Sequence, residues 1–372
     1  MRRNLCSILV TGIFISLSWL LQAQESDYSL PVDPVADLFS FMHESFTEDG
    51  AQKLAMFSYN ENALLIYDLA TKSIERKVIY DTQGPNALNN MRINGGMKMV
   101  NKDTIIFFDN QLQRFYLSDN QGEIYHKQQI ESSDVVFSSA DLESSIAYRK
   151  GYIYVQGWPV TIGPNSAKDY KNFPNYFGKI SLKDGSVERL KFDFPASYKG
   201  KDYSQELKDA SILYNERIDK FIISFPISHE IYVTDFNGHT QTHMVKSELV
   251  KDAVEVADVQ GKTEASGIHS MAHWLSDEYE KLIYDPESGY YFRVARSSVT
   301  ERAFLERDLQ TEKEVIVIDK DFNSVKTLKH HGRSFFYYFF IENKIYWNKD
   351  FKKHNLDAGN EDTILFDKTD FY

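Results

Sequence analysis

The chain has 372 residues and a formal charge of −12, from 42 Lys and Arg against 54 Asp and Glu. That length is enough to bury a full apolar core without staples, and a single cysteine excludes a disulfide framework and any Cys-based zinc site. Aromatic residues make up 14% of the chain, which excludes disorder, collagen and coiled coil; the acidic balance argues against a nucleic-acid binder, which would need a basic face.

Arg2 and Arg3 precede an apolar run, residues 5–21, that carries no charge. Ala23 then offers a small residue before the polar Gln24, Glu25 and Ser26. This layout predicts a signal peptide over residues 1–23. The alternative for the same run is an uncleaved membrane anchor. Cleavage removes Arg2, Arg3 and Cys6, takes the charge from −12 to −14 and leaves no cysteine. Thiol catalysis and thiolate metal sites are then excluded by inventory. Cys6 sits at the front of the apolar run, the wrong place for a lipid-bearing cysteine. Residues 24–372 contain no second run of spanning length, so the mature chain is expected to lack a transmembrane segment.

Most of that mature chain reads as short strands. Residues 103–109, 151–156, 220–225 and 314–319 are rich in β-branched and aromatic side chains and are bounded by turn formers. The strands recur in order: an apolar strand ends in Asp, a polar turn follows, and another strand leaves. The aspartates are Asp68, Asp119, Asp184, Asp235, Asp319 and Asp367, spaced 51, 65, 51, 84 and 48 apart. A unit near 50 residues holds four antiparallel strands, the size of a propeller blade. In the second unit they are expected at 97–100, 103–109, 113–118 and 123–130. The last unit has only three, near 335–341, 344–348 and 363–367. Residues 27–33 or 37–43 are spare, and would supply the fourth and remove two exposed edges. The fold class expected is all-β: a six-bladed β-propeller with four-stranded antiparallel blades, its ring closed by an N-terminal strand. Five or seven blades are the alternatives.

Ile66, Tyr67, Asp68 and Leu69, followed by Gln83, Gly84, Pro85 and Asn86, carry a resemblance. The chain resembles the uncharacterised secreted six-bladed β-propellers of Gram-negative bacteria that hold a domain of unknown function and are grouped with TolB-like propellers. The likeness covers essentially all of the mature chain. It implies the propeller fold and export, and supplies no catalytic residues. Members usually carry a lipoprotein cysteine after the signal, and this sequence departs there.

Two insertions stand out, because function in such folds sits in loops. One spans 158–176, begins with Trp158 and is rich in Pro and aromatics; it is a candidate rim, or a loop packed on itself. The other spans 247–277. Within it His269 and His273 are four apart, on one face of a helix if one forms, next to Trp274. With Asp277 or Glu278 they would have the makings of a metal site. However, Ser270 stands where the zincin pattern needs Glu, so no metal and no cofactor are expected. Asp319, Asp321 and Asn323 imitate a calcium loop, but Ser324 and His330 occupy the decisive positions. That segment reads as a turn.

Gln83 and Asn86 form a shaped connector between the first two blades, with amides that would face a ligand at the ring mouth. Arg293 and Arg296 lie on one strand, three residues apart and so on opposite faces. With His331 and Arg333 of the next connector they would hold an anionic group, or else pair with the chain's own acids. No P-loop and no nucleophile elbow is present. The expected function is a non-enzymatic binding or protein-interaction module of the cell envelope, periplasmic or extracellular and without a lipid anchor. Its partner would be a protein or a glycan rather than nucleic acid. The alternative is a glycan-directed hydrolase or lyase with its site at the channel mouth.

Overall fold

The described connections follow from one topological fact: each blade is an antiparallel sheet, so successive strands alternate between two ends of a central channel. The computed structural model describes residues 28–32, 42–84, 86–88, 95–132, 135–138, 146–159, 176–264, 267–331, 337–349 and 363–371. They form six sheets. The first strand, β1 (Tyr28–Pro31), belongs to the last blade. Blade one holds β2 (His43–Glu48), β3 (Ala51–Ser58), β4 (Ala63–Asp68) and β5 (Ser73–Ile79). Blade two holds β6 (Gly95–Asn101), β7 (Thr104–Asp109), β8 (Arg114–Ser118) and β9 (Ile124–Gln129). Blade three holds β10 (Val135–Ser138), β11 (Ala147–Arg149), β12 (Tyr152–Pro159), β13 (Tyr176–Ser181) and β14 (Val187–Lys191). Blade four holds β15 (Ser211–Asn215), β16 (Lys220–Ser224), β17 (Glu230–Thr234) and β18 (Thr240–Met244). Blade five holds β19 (Glu278–Tyr284), β20 (Tyr291–Arg296), β21 (Glu312–Ile318) and β22 (Ser324–His331). Blade six holds β23 (Tyr338–Ile341), β24 (Lys344–Asn348) and β25 (Thr363–Asp370).

The first strands of successive blades stand side by side: β2 meets β6, β6 meets β11, β11 meets β15, β15 meets β19, and β23 meets β2. They are therefore the innermost strands. The alternation of side chains explains why nearly every strand is apolar throughout its middle. In β4, Leu64 and Ile66 pack with Phe107 and Ile105 of blade two, whereas Leu65 and Tyr67 pack with Phe339 and Phe366 of blade six. Both faces of each blade are buried against neighbours, so a period of two puts apolar residues on both. The large aromatic content fills these interfaces.

Closure by the N-terminus is observed. β1 pairs antiparallel with β25, from Tyr28 opposite Phe366 to Pro31 opposite Thr363. Of the two spare segments, the first supplies the outermost strand of blade six.

Five of the six repeated aspartates sit at the turn from the third to the fourth strand. Each folds the turn by accepting amides ahead of it: Asp68 Oδ1 from Ala70 and Thr71 at 2.9 and 2.8 Å, and Asp119 Oδ1 from Gln121 and Glu123 at 2.8 and 2.9 Å. Asp367 is the exception. It lies inside β25, which runs on to Asp370, because the fourth strand of that blade arrives from the other end of the chain and no turn is needed. A second departure is in blade three, whose innermost position is held by two pieces, β10 and β11, both paired with β12.

The alternation leaves the two ends of the ring unlike. At one end, each link from first to second and from third to fourth strand among the described residues spans six residues or fewer. At the other lie the loops from second to third strand and the blade-to-blade connectors, including 192–210, 245–277 and 297–311. We call these the turn face and the loop face. The turn face is bridged near its centre: Gln52 of blade one donates Nε2 to Glu287 Oε2 of blade five at 2.7 Å, and Arg217 of blade four donates to the Glu287 carbonyl at 3.0 Å.

Candidate functional site

The longest described connector, 245–277, runs from blade four to blade five on the loop face. It contains α1 (Ile268–Trp274), preceded by a 3-10 turn at Val256–Val259. The neighbouring loop of blade five adds α2 (Glu301–Leu305), capped by Thr300, whose Oγ accepts from Ala303 at 3.1 Å. Val256, Val259, Met271 and Ala272, with Phe304 of α2, make a small apolar cluster of their own. Together these elements form a cap over blade five.

Charged groups at the top of blade five pin this cap. Glu278 opens β19 and is buried. Its Oε1 lies 2.9 Å from His273 Nε2 of α1 and accepts from Arg296 Nε at 2.8 Å. Arg296 is fully buried, donates to the carbonyls of His273 and Ser276 at 3.1 and 3.2 Å, and lies 4.8 Å from the Trp274 ring. The guanidinium thus grips the end of α1, where carbonyls are left over. Glu280 completes the group: its Oε1 accepts from Lys313 at 2.7 Å and stands 3.6 Å from Arg296 Nε. Burial alone would raise the Glu278 carboxyl, but the Arg296 guanidinium and His273 outweigh it and hold the group down at about 2. Asp277 adds a backbone anchor, accepting from the amides of Lys251 and Asp252 at 3.1 Å each and from Ser298 at 2.7 Å.

The opposite face of the same blade is organised around Arg293. It is fully buried and donates to Ser224 Oγ at 2.9 Å and to the carbonyls of Ser228, Val245, His229 and Phe225 at 2.6, 2.9, 3.2 and 3.3 Å. All five acceptors are uncharged. The guanidinium also lies 3.4 Å from the centre of the Tyr279 ring. Burial pushes Arg293 down to about 10, still protonated at neutral pH. Tyr279 OH accepts from the Ser247 amide at 2.8 Å and stands 2.8 Å from His229 Nδ1. His229 is lowered, first by burial and then by the charge of Arg293. Ser247 Oγ donates to Glu314 Oε2 at 2.5 Å. The start of the connector is thereby fastened to blade five on this side too.

Of the candidates read from sequence, His273, Trp274 and Arg296 come together around Glu278. His269 shares α1 with them, one turn earlier. Arg293 belongs to the other face, against blade four, as its spacing from Arg296 requires. Gln83 and Asn86 are exposed on the connector between blades one and two, which blades six and one separate from this group on the shorter way round. Trp158 is the penultimate residue of β12 and is buried. His331 closes β22, and Arg333 lies outside the described residues. Sequence reading missed Glu280, Lys313, Tyr279 and Ser247. Glu278 and Glu280 stand two apart, which signals one strand face. In β19 the register slips between Tyr279 and Lys281, so simple alternation does not place Glu280. No group of three or more His, Cys, Asp or Glu side chains among the described residues is placed to hold a metal ion. No helix among them is long and apolar enough to cross a membrane.

A six-stave ring with short turns on one face and a pinned cap on the other defines the class: a closed six-bladed β-propeller with a decorated loop face. The model of a family described as a domain of unknown function, DUF4221, matches residues 31–326, and the chain belongs to that family. A solved member of the same family, from Bacteroides vulgatus, is 19% identical, with a TM-score of 0.71 over 93% of this chain and 97% of its own. A Bacteroides fragilis protein whose name describes it as exported is 10% identical, with a TM-score of 0.57 over 93% of this chain and 95% of its own. At these identities the likeness is one of fold. No curated protein matches the chain.

Proposed function

We propose that the chain is a non-enzymatic binding or protein-interaction module of the bacterial cell envelope, with its partner docking on the loop face over blades four and five. One observation carries this reading: Arg296, Arg293 and Asp277, buried beneath the loop face, are spent on holding the cap and its connector. Arg296 holds the end of α1, Arg293 holds the loop of blade four and the start of the connector, and Asp277 ties 251–252 to Ser298. The result is a preorganised platform, the arrangement that lowers the ordering cost of binding. The bridge of Gln52, Glu287 and Arg217 across the turn face supports approach from the loop face. The signal peptide over 1–23 and a periplasmic or extracellular location belong to the same proposal. So does the division of the mature chain into one propeller domain with insertions near 158–176 and 247–277.

A glycan hydrolase needs a carboxylic acid able to give up a proton near neutral pH. Glu278, held at about 2, is ionised there, so it does not supply that acid.

The test is capture from envelope extract by the exported chain, compared with two surface variants. Leu305→Asp alters an exposed position on α2 of the cap; Ile218→Asp alters an exposed position on the turn face. The proposal expects one partner retained by the wild type and by Ile218→Asp, and lost with Leu305→Asp. Equal capture by all three chains, or turnover of a glycan panel by the wild type, would overturn it.

A further inference from the structure

His229 lies in the loop between β16 and β17 of blade four, against the first residues of the 245–277 connector. The bonds that fasten that connector start to blade four converge on it. The Val245 amide donates to the His229 carbonyl at 2.8 Å. Arg293 Nη1 bridges the His229 and Val245 carbonyls at 3.2 and 2.9 Å. The Tyr279 hydroxyl accepts from the Ser247 amide, donates to the Val245 carbonyl at 3.3 Å and stands 2.8 Å from His229 Nδ1. A charge placed on the His229 ring is therefore felt by every group that holds 245–247 to this loop.

The surroundings of the ring disfavour such a charge. The Arg293 guanidinium is fully buried and meets only neutral acceptors, so no carboxylate compensates it. A protonated His229 is a second cation beside it, in a setting that screens charge less than water does. The ionisable groups around the ring, among the described residues, come from four elements and its own loop. Arg293 on β20 and Lys246 of the connector oppose a charge there, and Glu248 of the connector favours one. The Tyr279 hydroxyl on β19 is raised by burial and stays neutral. Glu314 on β21 is engaged by Ser247, and Glu230, next in the chain, by the Tyr232 hydroxyl. Burial first, then Arg293, put His229 below its ordinary value of 6.5.

We infer that the cap is acid-sensitive through His229: a neutral ring leaves residues 245–247 fastened to blade four, and a protonated ring beside Arg293 loosens them. Such a device regulates the docking platform proposed above, and only its effect on a partner rests on that reading. The direction follows from linkage. A histidine whose folded value lies below its unfolded one stabilises fully above about 6.5, and that contribution is lost as pH falls below it. Glu278 responds in a separate window, from about 4.5 toward about 2.

Hydrogen exchange of the full chain without a partner tests this. Protection is compared at about pH 7.5 and about pH 5.5, each corrected for the intrinsic exchange rate. The amides of Val245 and Ser247 are expected to lose protection severalfold in acid, while those of 106–108 in blade two keep theirs. His229→Gln takes up no proton and should be equally protected at both pH values. His239→Gln, at an exposed position on the turn face, should retain the wild-type loss. Two exposed positions tune the response without altering the ring: Lys246→Gln should shrink the acid loss and Glu248→Gln should deepen it. Equal protection of the wild type at both pH values, or an undiminished loss in His229→Gln, would overturn the acid response. Capture from envelope extract at both pH values separates it from docking: acid-sensitive exchange with nothing captured at either pH keeps the switch and removes the platform.

Discussion

Arg296 Nε lies 2.8 Å from Glu278 Oε1, and the same guanidinium donates to the carbonyl of His273 in the last turn of α1 and to that of Ser276 just beyond it. One side chain therefore neutralises the acid that opens β19 and ties the cap to the blade. Removing one partner of a buried pair leaves an uncompensated charge, typically costing about 3–5 kcal/mol. Arg296→Met is expected to destabilise by that order, measured by urea denaturation. The double variant Arg296→Met with Glu278→Gln should recover part of the loss, because neither charge is then stranded. A double variant as unstable as the sum of the singles would show that the two groups do not interact.

The same pair sets an acid limit. Glu278 has an ordinary value of 4.5 and is held at about 2 in the folded chain. A depressed carboxylate stabilises fully above its unfolded value, and the contribution is lost as pH falls from about 4.5 toward about 2. The stabilisation at neutral pH is on the order of 3 kcal/mol. Wild-type stability is expected to fall over that window, and Glu278→Gln to show a flatter profile there. Parallel profiles for the two chains would remove Glu278 from the acid response.

Arg293 makes a different prediction, since its five acceptors are neutral and sit on blade four and its connector. A lysine ammonium has three donors on a flexible stem and does not reproduce the planar fork. Arg293→Lys is expected to destabilise by about 2 kcal/mol or more, from acceptors left buried without donors. Hydrogen exchange should quicken first at the amides of 225–229 and 245–247. Wild-type stability in the lysine variant would contradict this.

Ring closure is open to a small change. Tyr28→Phe keeps the aromatic packing and removes the hydroxyl that donates to Leu69. The expected loss is about 1 kcal/mol, with the buried carbonyl left short of a partner. Tyr28→Ala should cost about 3–5 kcal/mol. Similar midpoints for the two variants would mean that packing at blade six contributes little.

A single glycine marks where blades two and three touch. Gly185 has φ of +73°, and a Cβ there would lie 2.2 Å from the Gln129 carbonyl oxygen of blade two. Gly185→Ala is expected to cost more than about 1 kcal/mol from backbone strain alone. Gly238→Ala serves as the control: it shares a positive φ, of +96°, but has nothing within 4 Å. Equal destabilisation by both would mean that the contact with blade two is slack.

Much of the architecture is local and was therefore legible. Strand content follows from β-branched and aromatic runs, and the repeat follows from Asp at the third-to-fourth turn, since Asp68, Asp119 and Asp319 close those turns with amides two to four residues away. Even the opposite placement of Arg293 and Arg296 is a consequence of strand period. The closing strand was visible because the last blade was one strand short. What only the tertiary structure decided is what the charged side chains do. Arg293 and Arg296, read as an anion clamp, meet all but one of their hydrogen-bond acceptors 18 to 69 residues away, and pairings at that separation leave no periodic trace. The break between β10 and β11, and the run of β25 past Asp367, depend likewise on which strand pairs with which. Strand, turn and blade number are written in short-range chemistry; the fate of a buried charge depends on neighbours that folding alone brings near.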